Sequence, residues 1–288
     1  MPITVNTNVP SLIAQKSLNT ATTKMNTAME RMSTGLKINS SKDDAAGMAV
    51  ANKLDYKIGS LEVAQNNGQM GASMLDTAEG VLSVINSNLT RIRDLTEQAA
   101  NGTYGSDALT AIKTEVQARM DEITRLSKSS EFNGKILFNP EDNDGNGIKN
   151  DINLQVGIKS DDNSVIKLNK ELFADAAAST ILGVSGGKAD DMYEDDTTAR
   201  AFLDKIDGAL ANITERTTLL GGYQQRILSA IDAAGVMETN LTSAKSLIED
   251  ADIAEESSNY VKQQILQQTS ASLLATANQS PAIALNLV

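Results

Sequence analysis

The stretch Leu75-Asp-Thr-Ala-Glu-Gly-Val-Leu-Ser-Val-Ile-Asn-Ser-Asn-Leu-Thr-Arg-Ile92 decides the fold class. Its apolar residues fall at Leu75, Ala78, Leu82, Ile85, Leu89 and Ile92, in alternating steps of three and four. That is the heptad spacing of helices packed side by side. The same phase extends back through Leu54 and Leu61, with the small residues Ala64, Gly68 and Gly71 on the stripe. One helix from Asp44 to Ala100 is predicted, roughly 55 residues and about 80 Å long at 1.5 Å per residue. A helix of that length without internal caps points to a coiled coil or bundle.

Working outward, Gly102 and Gly105 mark a turn, and a second helix reads from Asp107 to Lys128 with the stripe Leu109, Ile112, Val116, Met120 and Ile123. A third runs from Thr197 past Leu241. One of its rows, Ala199, Ile206, Ile213, Leu220, Ile227, Ala234 and Leu241, keeps strict intervals of seven. The companion row is Phe202, Ala209, Arg216, Tyr223, Ala230 and Met237, in which Arg216 is the polar member. Gly221 and Gly222 either admit close approach of a neighbouring helix or kink this one. Three such helices form a bundle with its seams at intervals of seven. The expected packing residues of this part are Leu75, Leu82, Ile85, Leu89, Ile92, Ile206, Ile213, Leu220, Tyr223 and Ile227.

Between the helices the period changes. Ile152, Leu154 and Val156 alternate with polar residues, and Val165, Ile166 and Leu168 follow the turn-like Ser160-Asp161-Asp162-Asn163. This predicts a hairpin of short strands. Residues 184–196 are rich in Gly and acids and are expected to form an exposed loop.

Composition narrows the function classes. The 288 residues contain no Cys, no His and no Trp, and aromatics make up 3%. Thiol nucleophiles, the common zinc sites, disulfides and His-based acid–base chemistry are therefore absent. Leu, Ile, Val, Met and Ala must form the core. The four prolines, at 2, 10, 140 and 281, leave the long helices uninterrupted. A net charge of −12 argues against nucleic acid. No run of 18 apolar residues exists to span a membrane. The start lacks the basic and apolar regions of a cleaved signal peptide, so an exported chain of this kind needs another route.

Residues 1–40 carry four bases against one acid, and residues 249–288 five acids against one base. The opposite signs are either chance or an aid to pairing of the two ends. Residues 1–42 offer the stripe Leu18, Met25, Met29, Met32 and Leu36; residues 249–288 offer Val261, Ile265, Leu266, Leu273 and Leu274. Ala, Ser, Thr, Asn and Gln dominate both, so neither end buries enough apolar area to order itself. Both are expected to be largely disordered in the free chain and to fold on assembly.

These ends also carry a resemblance. Arg31-Met-Ser-Thr-Gly-Leu-Lys-Ile-Asn-Ser-Ser-Lys-Asp-Asp-Ala-Ala-Gly-Met-Ala49 and the opening Ile3-Thr-Val-Asn-Thr-Asn8 resemble the amino-terminal signature of bacterial flagellins. Asn240-Leu-Thr-Ser-Ala-Lys-Ser-Leu-Ile-Glu-Asp-Ala-Asp-Ile-Ala254 resembles their carboxyl-terminal signature, and Gln264 to Gln279 is similar to their last helix. The resemblance implies a mainly α chain: a long antiparallel helical bundle or coiled coil built from both chain ends, with a small β-hairpin region in the middle. It divides the chain into inner-tube helices (1–42 plus 249–288), a helical shell (43–139 plus 197–248) and a short hairpin-and-loop region (140–196) without large outer domains. It implies a non-enzymatic subunit of the extracellular flagellar filament, a homopolymer that meets its copies through non-identical surfaces. Further implied partners are an export chaperone on the carboxyl-terminal helix, the flagellar export apparatus, the filament cap and hook-associated proteins. A hook–filament junction protein, which shares such ends, is the alternative, and the strong carboxyl-terminal signature argues against it.

Two smaller sites complete the reading. Leu89 to Gln98 resembles the segment of some flagellins that contacts Toll-like receptor 5, with Arg91, Leu95 and Gln98 as matching positions and Glu115 and Arg119 on the next helix. Thr90 and Glu97 depart from the commonest pattern. Asp142, Asp144, Asn146 and Asn150 have the spacing of a calcium loop, but Asn153 stands where a bidentate Glu belongs, so a polar turn is favoured. No catalytic constellation or cofactor site emerges. The pair Asp43-Asp44 reads as a helix start, where acids favour the N-terminus.

Overall fold

The computed structural model describes residues 7–141, 144–184, 189, 193 and 196–285. Among the described residues there are six α-helices: α1 (Val9–Thr34), α2 (Ala45–Ala99), α3 (Ser106–Ser129), α4 (Ala178–Ile181), α5 (Asp196–Glu249) and α6 (Ile253–Leu285). Four short strands lie between α3 and α4: β1 (Glu131–Phe132), β2 (Lys135–Ile136), β3 (Ile152–Gln155) and β4 (Val165–Leu168). Two compact units result, one from residues 1–58 with 239–288, the other from residues 59–238.

The helix starts follow from local chemistry. Asp44 Oδ1 accepts from the backbone N–H of Ala46 and Gly47 at 3.0 Å, capping the donors that a helix start leaves unpaired. Asp43 turns the other way: its Oδ2 takes bonds from Ser40 Oγ and from the amides of Asn39 and Ser40. The Ser40 hydrogen bond is the main reason its carboxyl sits below the usual range. Asn8 caps α1 through the Ser11 amide, and Gly35, at φ 74°, closes it in the left-handed conformation.

In the unit of residues 59–238, α2, α3 and α5 share one core. Leu82, Ile85, Leu89, Ile92, Val116, Ile123, Ile206 and Ile227 have no exposed surface, and Leu75, Ile213 and Leu220 have 1%. Tyr223 is half-buried against them. The stripe read from the sequence is therefore the core stripe. Within this unit α5 runs antiparallel to α2, with Arg93 on Asp207 at 2.7 Å and Gln65 on Glu238 at 2.6 Å. Met237, placed in the companion row, leaves the core and is 55% exposed.

β3 and β4 form the expected hairpin, antiparallel, with Ile152 opposite Leu168 and Gln155 opposite Val165. Leu154 seats against Gly71 of α2, where a methyl group would collide with both its terminal carbons. Asn67 Nδ2 donates to Gln155 O at 3.2 Å and fixes the same edge. The glycine on the α2 stripe thus admits the hairpin. A second hairpin, β1 with β2, turns at Asn133 (φ 50°) and Gly134 (φ 78°). Both residues have positive φ, the hairpin turn that Asn-Gly favours.

Two expectations are corrected. Gly221 and Gly222 neither interrupt α5 nor meet a neighbour: the helix continues through them, and a methyl group on either meets nothing within 4 Å. The stretch 184–196 is not simply an exposed loop. Of its described residues Val184, Ala189 and Tyr193 are buried, with Tyr193 2% exposed, and Asp196, half-buried, opens α5. The Tyr193 ring packs edge-on to Phe202 at 5.9 Å, and Gln117 Oε1 holds the Ala189 amide at 2.8 Å. Burying one aromatic ring anchors an otherwise acidic segment.

Arg216, the polar member of its row, is also accounted for. Its Nη1 donates to Ala174 O at 2.8 Å, and burial pulls its pKa down while Asp175 opposes the shift. Asp175 in turn accepts from Ser127 Oγ and from the Ala177 amide.

Candidate functional site

In the other unit, α1 and α6 pair antiparallel along their lengths. The register is constant. Asn8 Nδ2 reaches Ala277 O, Ser11 Oγ reaches Asn278, Gln267 reaches Thr22 Oγ1, and Arg31 reaches Glu256. Ahead of α2, Lys37 N donates to Glu249 O and Ala251 N to Gly35 O, which ties the two connecting segments together.

The residues that close this seam are not the large ones. Ala14, Ala21 and Ala28 are 8%, 4% and 3% exposed, at strict intervals of seven. Leu18 and Met25 stand between them and are half-buried, as are Met32 and Leu36 beyond Ala28. Across from them α6 offers Glu256, Asn259, Tyr260, Gln263, Gln267, Ser270, Leu274 and Ala277 as its buried and half-buried positions among the described side chains. A buried methyl contributes about 0.8 kcal/mol, so an alanine seam holds two helices close but weakly.

The large side chains face away. Leu12 and Ile13 on α1 are 57% and 61% exposed, and Met29 is 51% exposed. On α6, Val261, Ile265, Leu266 and Leu273 are between 43% and 59% exposed. Met29 and these four are among the residues expected to pack in the inner tube, and within the single chain each keeps about half of its surface exposed. Sequence reading passed over the three alanines, whose signal was their spacing rather than their size.

The opposite charges of the two ends converge at one described contact. Arg31 Nη1 lies 2.9 Å from Glu256 Oε1, and the Glu256 side chain is 12% exposed. The other seam contacts named above are neutral.

A second cluster joins α2 to α3. Arg91 Nε donates to Glu115 Oε1 at 3.1 Å, Arg119 reaches the same oxygen, and Arg119 Nη1 reaches Asn88 Oδ1. The Arg91 hydrogen bond, with that of Arg119, lowers the Glu115 pKa. Gln98 is exposed nearby on the chain, whereas Leu95 is 3% exposed and belongs to the core.

Asp142 of the calcium-loop spacing lies outside the described residues. Asp144 and Asn146 are exposed, and Asn146 O accepts from the Ile136 amide at 3.1 Å. Among the described residues no three acids gather as a metal site, and no helix is long and apolar enough to cross a membrane.

The chain matches known proteins over both of its terminal regions. Residues 5–142 match the bacterial flagellin N-terminal helical region, and residues 203–288 the bacterial flagellin C-terminal helical region. This chain belongs to the bacterial flagellin family. A flagellin of Xenorhabdus nematophila is 36% identical over 100% of both chains, and one of Halalkalibacterium halodurans 34% identical over 99% of both. A solved structure from Vibrio parahaemolyticus, assigned as a flagellar hook-associated protein, superposes with a TM-score of 0.60 over 72% of this chain and 99% of that one. At 18% identity it shows a shared fold and nothing of function. As a flagellin, the chain is a structural subunit of the extracellular flagellar filament, polymerises with its own copies and is not an enzyme.

Proposed function

We propose that the filament grows because neighbouring copies cover the apolar side chains that α1 and α6 leave bare, so that assembly completes the folding of each subunit. The observation that carries this is the inversion of the α1–α6 seam. Alanines are inside, while Leu12, Ile13, Met29, Val261, Ile265, Leu266 and Leu273 are outside. Residues 1–42 with 249–288 then form the inner tube, with Leu18, Met25, Met32, Leu36 and Leu274 along the seam. Residues 43–139 with 197–248 form the shell, and 140–196 lies outermost. Such ends bind weakly as single chains and strongly in an array, because ordering entropy is spent only where burial offsets it. On the same reading, the chain leaves the cell unfolded through the flagellar export channel. An export chaperone covers the bare face of α6 until then, and the filament cap and hook-associated proteins meet the growing end.

Seeded polymerisation followed by electron microscopy tests this. The wild-type chain is expected to give long filaments, and the double variant Ile265→Glu, Leu273→Glu to give none. Filaments of ordinary length from the double variant would overturn the proposal.

A second activity, recognition by Toll-like receptor 5, is favoured by one geometric feature. Arg91, Glu115 and Arg119 are drawn together by hydrogen bonds at the surface shared by α2 and α3. Gln98 is exposed beyond them, while Leu95 presents little surface. Purified monomer is expected to drive a receptor reporter cell, and Arg91→Ala to weaken the response at least tenfold. A silent reporter with wild-type monomer would exclude the activity.

A further inference from the structure

The chain holds four Asn-Gly steps, beginning at Asn67, Asn101, Asn133 and Asn146. This dipeptide carries a chemistry of its own. The amide nitrogen of the glycine can attack the side-chain carbonyl carbon of the asparagine, because glycine has no Cβ to shield that nitrogen. Attack needs an amide without a hydrogen-bond partner and a peptide plane free to rotate. The fold meets these conditions unequally at the four steps.

Three of them are held. Asn67-Gly68 lies inside α2, where the Gly68 amide serves the helix ladder and Asn67 Nδ2 donates to Gln155 O at 3.2 Å. Gly147 is packed so closely that a methyl group on it would collide with Asn139 O, and it bridges to Ile136, whose amide donates to Asn146 O. Asn133-Gly134 is exposed, but β1 and β2 pair directly on either side of it, and Leu137 N donates to Ser130 O at 2.9 Å behind them. Rotating that peptide breaks a turn in which both residues have positive φ.

Asn101-Gly102, between α2 and α3, differs on each count. Residues 101–107 are all exposed. The turn rests on two long bonds, Asn101 N to Gln98 O at 3.2 Å and Tyr104 N to Asn101 O at 3.3 Å. A methyl group on Gly102 meets nothing within 4 Å. Among the described residues the Gly102 amide has no partner. Thr103 Oγ1 donates to Asn101 Oδ1 at 3.2 Å. That bond draws electron density away from the carbonyl carbon under attack and leaves Nδ2 as the group free to depart.

We propose that Asn101 is a modification site, converted to aspartate and isoaspartate through a cyclic imide closed with Gly102, ahead of the other three steps. In the closing step the Gly102 nitrogen gives up its proton and bonds to Cγ of Asn101. The Cγ–Nδ2 bond breaks, and Nδ2 leaves as ammonia with that proton. Water then adds to one of the two imide carbonyls. Opening at Cγ gives aspartate. Opening at the main-chain carbonyl carbon gives isoaspartate, in which the chain runs through the side chain. No oxidant or cofactor enters. Either product places a carboxylate just past the C-terminal end of α2, whose last carbonyls already carry partial negative charge. A subunit of an extracellular filament lies beyond cytoplasmic repair and turnover, so the conversion records its age.

Ageing the purified free chain in warm, mildly alkaline buffer tests this and needs no filament. The Lys and Arg positions put each Asn-Gly step on its own tryptic peptide, 94–113 for Asn101. Mass spectrometry follows the amide-to-acid exchange, and labelling by a protein isoaspartyl methyltransferase follows isoaspartate. Asn101 is expected to convert at least fivefold faster than each of the other three. Gly102→Ala, whose methyl group enters open space, is expected to slow it at least fivefold without lowering the melting temperature, and Thr103→Val at least twofold. Faster conversion at any other step, or an unchanged rate in Gly102→Ala, would overturn the assignment. An unchanged rate in Thr103→Val would overturn the part given to the hydroxyl.

Discussion

Tyr193 Oη and Thr96 Oγ1 lie 2.6 Å apart with both residues buried, and Thr96 Oγ1 is bonded onward to Ile92 O at 2.7 Å. This pair fastens Tyr193 to the last turn of α2. Tyr193→Phe keeps the ring and leaves Thr96 with its bond to Ile92. It is expected to cost about 1 kcal/mol. Tyr193→Ala removes the ring from a filled core and is expected to cost about 3–5 kcal/mol. Urea unfolding of the monomer measures both.

The same phenol sets the alkaline limit of stability. Burial pushes its pKa from 10.0 up to about 12. Below pH 10 it is protonated in folded and unfolded chains alike, and its contribution is fully present. Between pH 10 and 12 the unfolded chain releases the proton first, so stability falls, by roughly 2–3 kcal/mol over that window. With no His and no Cys, the chain has no side chain of ordinary pKa titrating between about pH 6 and 9. A melting temperature flat from pH 6 to 9 and dropping above 10 is expected, and Tyr193→Phe should flatten much of the drop.

Two kinds of glycine should behave oppositely. Gly71→Ala pushes a methyl group into Leu154 and is expected to destabilise by about 1–3 kcal/mol, loosening the β3–β4 hairpin. Gly221→Ala adds a methyl group into open space on an unbroken helix and is expected to stabilise by about 1 kcal/mol. Thermal melts of the two variants check the contrast.

The core helices were legible because large apolar residues at intervals of seven both announce a seam and fill it, as Leu75 to Ile92 do. The α1–α6 pair broke that link. Its seam is set by Ala14, Ala21 and Ala28, which carry spacing but little hydrophobicity, so Met29, Ile265 and Leu273 drew attention instead. Tyr193 was hidden by its acidic neighbours, since a single buried ring leaves no period. The β1–β2 hairpin was announced by Asn133-Gly134, but strands of two residues show no alternation. The α2–α3 cluster was legible only as matching positions, and the burial of Leu95 needed coordinates.

Glu256 is the acid that the seam holds closest, with Arg31 as its partner. Glu256→Ala leaves a half-buried guanidinium unmatched and is expected to weaken the α1–α6 pair by about 1–2 kcal/mol. Glu256→Gln keeps one hydrogen bond and should cost less. The critical concentration for seeded growth reports the difference, with Glu256→Ala the higher.

Hydrogen exchange on free chains and on filaments, compared segment by segment, tests most directly whether assembly completes folding. Amides of α1 and α6 are expected to exchange fast in the free chain and slowly in the filament, while those of α3 and of α5 from 199 to 234 stay protected in both. Slow exchange across α1 and α6 in the free chain would contradict coupled folding and assembly.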